Sequence, residues 1–301
     1  MAEKTIVPPI KSQGIKTKLI PWIKSFIDDD MKEGRWIEPF MGTSVVAFNM
    51  KFEKAIVADI NPHIVEFYNE LKNKEITPKS VREFLEHEGE ILKNAEENGY
   101  AHYRSIRDRF NKSGKNPLDF LFLSRAGFNG MVRFNKKGEW NIPFCRKPNR
   151  FSKAYITKIV NQTSAVFNVI TENWQFHYKD FREVIQMASE NDIIYCDPPY
   201  YGRYVDYYNG WTEKDENDLY TLLKGTKAKF ILSTWHHNDF RENEMIEKFW
   251  NEFNIETKEH FYHAGGKVDN RNPVIEALVY NFDKNEIKKS HHSAIEHGLL
   301  F

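Results

Sequence analysis

The sequence predicts a doubly wound α/β fold on a mixed sheet, broken by one long insertion. Three observations carry that expectation. The first sixty residues run helix, strand, glycine turn, helix, strand. Apolar strand-like runs return later at α/β spacing, at 174–181, 192–196 and 229–234, and two more, 255–263 and 273–282, close the domain. Between the two groups lies a charged stretch that lacks this alternation. The expected division is residues 9–64 and 165–282 for the sheet domain, 65–164 for the insertion, and 283–301 for a polar tail.

Each element follows from its own pattern. Residues 16–29, KTKLIPWIKSFIDD, place Leu19, Ile20, Ile23, Phe26 and Ile27 at helical spacing. Pro21 falls in the first turn, where a missing N–H costs little. Arg35–Phe40 reads as a short strand running into Met41-Gly42-Thr43-Ser44. A helix follows from Val45 to Met50, with Thr43 or Ser44 as its cap. Lys54–Ile60 is a second buried strand, ended by Asp59 and the turn-prone Asn61-Pro62. Residues 63–120 are charged and helical in pattern. Within 124–153, Met131–Phe134 and Glu139–Ile142 flank Asn135-Lys136-Lys137-Gly138, the pattern of a β-hairpin turning at Gly138. No internal repeat or low-complexity tract appears.

Composition narrows the function classes. The 301 residues carry no net charge, but the charge is unevenly placed. Residues 101–153 hold 13 Lys/Arg against three acids, Asp108, Asp119 and Glu139. A basic block inside an otherwise acidic chain is the footprint of a polyanion contact, or of a solvated face. No run of 18 apolar residues occurs, so no membrane partner is expected. The N-terminus lacks a charged-then-apolar signal pattern. The two cysteines, Cys145 and Cys196, read as thiols of a reducing, cytoplasmic protein. No metal is expected, because no spaced Cys/His set exists. The adjacent His236 and His237 should point to opposite faces of a strand. Cys196 should face the core and not act as a nucleophile.

In an open parallel sheet, ligands sit beyond the carboxyl ends of the strands. Gly42 after the first strand lets a ligand approach the backbone. Asp59 at the end of the second can take two ribose hydroxyls, or can simply begin a turn. No GKT or GxGxxG follows, so a nucleoside cofactor here need not carry a pyrophosphate. The fourth strand ends in Asp197-Pro198-Pro199-Tyr200. Two prolines remove two donors and leave nearby carbonyls free to accept. A carboxylate beside such a carbonyl forms a paired acceptor that matches an exocyclic amine. Tyr200 offers a ring face to a flat heterocycle. The alternative is a turn that only terminates the strand.

DPPY at 197–200, preceded by EPFMG and ADIN, resembles the amino-methyltransferases that use S-adenosylmethionine. More narrowly, FNGMVRFNKKGEWNIPF at 128–144 is similar to the hairpin of the Dam-type, α-group DNA adenine-N6 methyltransferases. The resemblance covers about residues 9–282 and implies a Rossmann-like methyltransferase fold with an inserted target-recognition region. It implies methyl transfer to the N6 amine of an adenine flipped out of duplex DNA, in GATC or a related site. It assigns Asp197, Pro198, Pro199 and Tyr200 to catalysis. The cofactor falls to Ser12, Lys16, Phe40, Gly42, Asp59, Asp180 and Asp197, and DNA contact to Asn129, Arg133, Asn135, Lys136 and Lys137. Arg133 matches a hairpin arginine that reads guanine, for which a bidentate bond to O6 and N7 is the physical account. Tyr201, Tyr204, Tyr207, Tyr208 and Trp211 either shape the base pocket or pack. A restriction endonuclease acting on the same site, without direct contact, is a further partner the resemblance implies; oligomeric state is not readable.

Three departures stand out. Ser12 occupies a position where the family commonly has Trp. Gly42 is followed by Thr43-Ser44, not by more glycines. The fifth strand ends Ser233-Thr234-Trp235-His236-His237 where Ser-Asn-His is usual. The rival readings are an RNA adenine methyltransferase and a DNA-binding protein that kept the fold but lost the reaction. Glutamine-modifying relatives carry NPPY, and Asp197 counts against them.

Overall fold

The computed structural model describes residues 4–12, 14–112, 114–201, 210–261 and 273–284. Gln13, Tyr204, Tyr207, Tyr208, the last two residues of the 255–263 run and the tail beyond Lys284 lie outside the described residues. Helix α1 is Ile20–Lys24, β1 Trp36–Glu38, α2 Val45–Met50, β2 Ala55–Asp59 and α3 Pro62–Lys72. Before β3 come α4 Pro78–Asn94, α5 Tyr100–Lys112, α6 Pro117–Ala126 and α7 Lys153–Phe167. Then follow β3 Trp174–Tyr178, α8 Phe181–Ile185, β4 Ile193–Cys196, α9 Glu213–Gly225 and β5 Lys229–Asn238. Strands β6 Arg241–Glu242, β7 Asn254–His260 and β8 Val274–Tyr280 complete the set.

The chain divides into two compact units. The first takes in the residues up to Ile20 and Met41–Lys179. Here β2 and β3 pair in parallel, Ala55 opposite Trp174 and Asp59 opposite Tyr178. The first four residues of β2 are buried, as a strand covered on both faces requires. Phe48 of α2 stacks on Trp174 at 5.5 Å, and Tyr68 of α3 on Phe176 at 5.6 Å. The helices start as their sequences dictate. Asn61, Thr77 and Asn116 cap α3, α4 and α6 with their side chains, each just before a proline.

The second unit takes in Pro21–Phe40 and the described residues from Asp180 onward. Strand β4 has parallel neighbours on both sides, β1 (Trp36 opposite Ile193) and β5 (Ile193 opposite Lys229). Strand β8 pairs antiparallel with β5, and β7 antiparallel with β8. The mixed α/β class is therefore as expected. Arg35 clamps the head of β4. It donates from its backbone N–H (2.8 Å), Nε (3.1 Å) and Nη2 (2.6 Å) to the buried carboxylate of Asp192.

Four expectations need correction. The helix expected over 16–29 is α only from Ile20 to Lys24. Beyond it Ser25, Phe26 and Ile27 donate three residues back, and Ser25 Oγ takes the carbonyl of Trp22 at 2.7 Å, a side chain competing with the helical ladder. Ser44 stands at the cap of α2 but in left-handed conformation (φ 60°), and its side chain caps nothing. The hairpin at 131–142 is reduced to a single antiparallel bridge, Phe134 with Trp140. Two hydrogen bonds flank that bridge, Asn135 N–H to Glu139 O at 2.9 Å and Asn141 N–H to Arg133 O at 3.3 Å, and on its outer side Asn111 of α5 accepts the Trp140 N–H at 2.8 Å and donates to its carbonyl at 3.2 Å. Finally, β5 runs to Asn238, and an irregularity between Trp235 and His237 breaks its alternation. His236 and His237 therefore do not diverge; their Nδ1 atoms lie 2.9 Å apart. Among the described residues no third ligand joins them to make a metal site.

Candidate active site and nucleic-acid interface

In the first unit the turn at 41–44, which leads into α2, lies beside the end of β2. Met41 N–H bonds Ala58 O at 2.9 Å, which ties the turn to β2. Gly42 is exposed, with φ +46°, and a methyl group built on it would meet nothing within 4 Å. The backbone angle demands glycine there, and the space above it is open. Tyr68 Oη braces the turn by donating to Thr43 O at 2.9 Å.

Asp59 closes β2 and accepts from Gly42 N–H on one oxygen and Asn61 N–H on the other, each at 2.9 Å. Burial pushes its carboxyl up to about 6, against the pull of backbone donors at Gly42, Asn61 and Ile60. The side chain is thus aimed by backbone groups and keeps unused lone pairs. Ser12 and Lys16 belong to the same unit. Lys16 is buried and Ser12 half-buried. The stem of Lys11 lies across Gly130 (φ +65°), where a β-carbon would come within 2.3 Å of it.

In the second unit Asp197 stands at the carboxyl end of β4, the strand flanked by parallel neighbours, and is half-buried. Pro198 is buried, Pro199 and Tyr200 half-buried. Tyr200 Oη donates to Oε2 of Glu276 on β8 at 2.5 Å. Cys196, just before the loop, is fully buried, and burial pushes its thiol well up, with Glu38 and Asp197 adding to the effect. Phe40 stacks on Phe181 at 5.2 Å and meets the edge of Trp211 at 5.6 Å. Asp180 caps α8: it accepts from Arg182 N–H at 2.9 Å, and Arg182 Nη1 sits 3.1 Å from both its oxygens. Arg182 also binds Asp215 (2.6 Å) and Asp218 (2.8 Å), holding α8 to α9.

The basic stretch 101–153 lies in the first unit and carries the turn at 135–138. Asn135 spends its side chain internally: Oδ1 accepts from Lys137 and Glu139 N–H, and Nδ2 donates to Glu139 Oε2 at 2.8 Å. This leaves Lys136 and Lys137 exposed at the tip. Arg133 is half-buried and donates from Nε to Asn141 Oδ1 at 3.0 Å. Asn129 is exposed, with φ 52°, beside exposed Phe128. Beneath, Trp140 Nε1 donates to Tyr103 Oη (2.9 Å), which donates to Ile142 O (2.7 Å). Arg125, buried on α6, donates to Pro9 O at 2.5 Å and Gln162 Oε1 at 2.6 Å, anchoring the N-terminal segment to the insertion.

Reading the sequence passed over Glu276, Arg125 and Arg182. Glu276 had a legible signal, as the one acid inside the apolar run VIEALVY. Arg125 had none, and Arg182 only its neighbour Asp180, since their other partners are carbonyls, an amide oxygen and acids distant in sequence.

Residues 12–264 match the family described as D12 class N6 adenine-specific DNA methyltransferase. The type II methyltransferase M.FokI of Planomicrobium okeanokoites is 30% identical over 92% of this chain, and the chain spans only 43% of that protein. The type II methyltransferase M.MjaIII of Methanocaldococcus jannaschii is 29% identical, over 92% of this chain and 99% of that one. A DNA adenine methylase of Vibrio cholerae is 33% identical, over 63% of this chain and 67% of its own length.

Proposed function

This chain belongs to the D12 class N6 adenine-specific DNA methyltransferases, and from that premise we propose that it moves a methyl group from S-adenosylmethionine to the N6 amine of an adenine turned out of duplex DNA. The observation that carries the reading is Asp197-Pro198-Pro199-Tyr200 at the carboxyl end of β4, with Asp197 half-buried.

An aromatic amine is a poor nucleophile because its lone pair is delocalised into the ring. The Asp197 carboxylate and the Pro198 carbonyl accept its two N–H groups and favour a nitrogen with an available lone pair. Tyr200 stacks on the base, which offsets part of the few kcal/mol that unstacking costs. Holding both reactants in line supplies several kcal/mol of the barrier. Asp197 is not required as a strong base, since the methylated ammonium product is acidic and sheds its proton after transfer.

The residues present fit the cofactor. Asp59, oriented by two N–H donors, has lone pairs left for ribose hydroxyls. Gly42 offers open backbone to the methionine moiety, with Ser12 and Lys16 near the start of the same unit. Phe40 and Asp180, in the second unit, are the residues that the family resemblance assigns to the adenosine moiety. When bound, S-adenosylmethionine supplies the electrophilic methyl.

Lys136 and Lys137 reach phosphates from the turn that Asn135 shapes. Arg133 reads guanine, and Asn129 contacts DNA from the same stretch of chain. GATC or a related site is the target this hairpin suggests. A restriction endonuclease cutting the same site would be the biological counterpart. No helix among the described residues is long and apolar enough to cross a membrane, and a DNA substrate suits the cytoplasm. Single-molecule sequencing of DNA from a host free of adenine methylation, expressing this chain, tests the proposal. N6-methyladenine at one recurring short site is expected; unmodified adenine throughout would overturn it.

A further inference from the structure

Strand β8 reads Val-Ile-Glu-Ala-Leu-Val-Tyr, and the single acid in it, Glu276, is completely buried. A carboxylate taken out of water costs several kcal/mol unless its oxygens find donors. A strand that needed only to pack would carry an apolar residue there, as its neighbours Ala277, Leu278 and Val279 do. Glu276 pairs across the sheet with Trp235 of β5, and one of its oxygens, Oε2, accepts from Tyr200 Oη at 2.5 Å. That bond is short and charge-assisted, joining residues 76 apart in sequence.

Tyr200 ends the proline-bearing loop and is itself half-exposed. Two prolines fix the backbone before it, but they do not fix the ring. The hydroxyl lies on the axis of the second side-chain torsion, so holding it fixes the first; because a phenolic O–H prefers the plane of its ring, an acceptor in a fixed direction also favours one ring plane. We propose that Glu276 is a positioning residue: by gripping the Tyr200 hydroxyl from the rigid floor of β8, it sets the ring plane on which the target adenine stacks. The inference rests on the proposed role of Tyr200. It places specificity for a flat base in a pair of residues on different strands, with the carboxylate never touching substrate.

The test is a double-mutant cycle with Tyr200→Phe and Glu276→Gln, with Tyr200→Ala alongside. Methyl transfer from labelled S-adenosylmethionine to unmethylated duplex DNA of mixed sequence is read under saturating and limiting DNA. Tyr200→Phe keeps the ring and loses only the bond, so it cannot fail through packing. Loss of a charge-assisted bond should lower kcat about tenfold or more in Tyr200→Phe and in Glu276→Gln, and a titration of S-adenosylmethionine at saturating DNA should leave its KM unmoved. The double variant should lose no more than either single one. Tyr200→Ala impaired with Tyr200→Phe fully active would overturn the positioning role while leaving the base-stacking role in place. Losses that multiply in the double variant would also overturn it. Full activity in Tyr200→Ala would remove the stacking role itself, and the inference with it. If Glu276→Gln fails to fold, the comparison of Tyr200→Phe with the unmodified protein decides alone.

Discussion

Acidification is the perturbation that reports most sharply on Asp59. Its carboxyl titrates at about 6 in the folded protein, because burial outweighs the N–H donors around it. If the ionised form accepts from the cofactor ribose, binding draws on that form alone. At pH 7 roughly nine-tenths of the molecules are ionised at this site, and at pH 5 roughly one-tenth. The apparent Kd for S-adenosylmethionine should therefore rise about tenfold between pH 7 and pH 5, about 1.4 kcal/mol. Isothermal calorimetry at pH 7, 6 and 5, without DNA, measures it. Asp59→Asn should bind more weakly at pH 7 and lose the pH dependence. An unchanged Kd across the range in the unmodified protein would refute the reasoning. The sign for folding runs the other way. An acid whose folded value lies above its ordinary 3.8 holds its proton more tightly when folded. Its contribution to stability therefore declines as pH rises from about 4 to about 6 and is flat beyond.

Other outcomes follow from single groups. Gly42→Ala forces a side chain into a left-handed angle in open space, so it should cost about 1 kcal/mol in urea melts yet weaken cofactor binding measurably. Asp192→Ala strands the Arg35 guanidinium beside the head of β4 and should cost about 2–4 kcal/mol by denaturant unfolding. In the unmodified protein Arg35 and the Ser189 and Arg35 N–H donors hold the Asp192 carboxyl below its usual range, so that stabilisation is kept above the ordinary carboxylate range and fades as pH falls through the lowered value. Replacing Lys136 and Lys137 by Ala should lower DNA affinity and flatten its dependence on log salt by about two units of slope, whatever the sequence bound.

The parallel strands were legible because each carries its own pattern. Ala55–Asp59 is a buried run ended by an acid, and Ile193–Cys196 is one ended by Asp-Pro-Pro. The turn at 135–138 was legible too, since Asn135 and Gly138 set it locally. What escaped depended on partners remote in the chain. Nothing in the segment 131–142 announces that Asn111 of α5 takes both outward backbone groups of Trp140. The divergence expected of His236 and His237 assumed an unbroken strand, and the irregularity opposite Ile275 and Glu276 removes that premise. Asp59 could be placed at a strand end from sequence, but its raised carboxyl depends on how deeply the fold sets it.

The most direct test is methyl transfer by Asp197→Ala, with S-adenosylmethionine binding measured on the same preparation. Activity on duplex DNA should vanish while a calorimetric binding signal for the cofactor persists. A variant that still methylates adenine at the unmodified rate would show that the 197–198 acceptors do not grip the reacting amine.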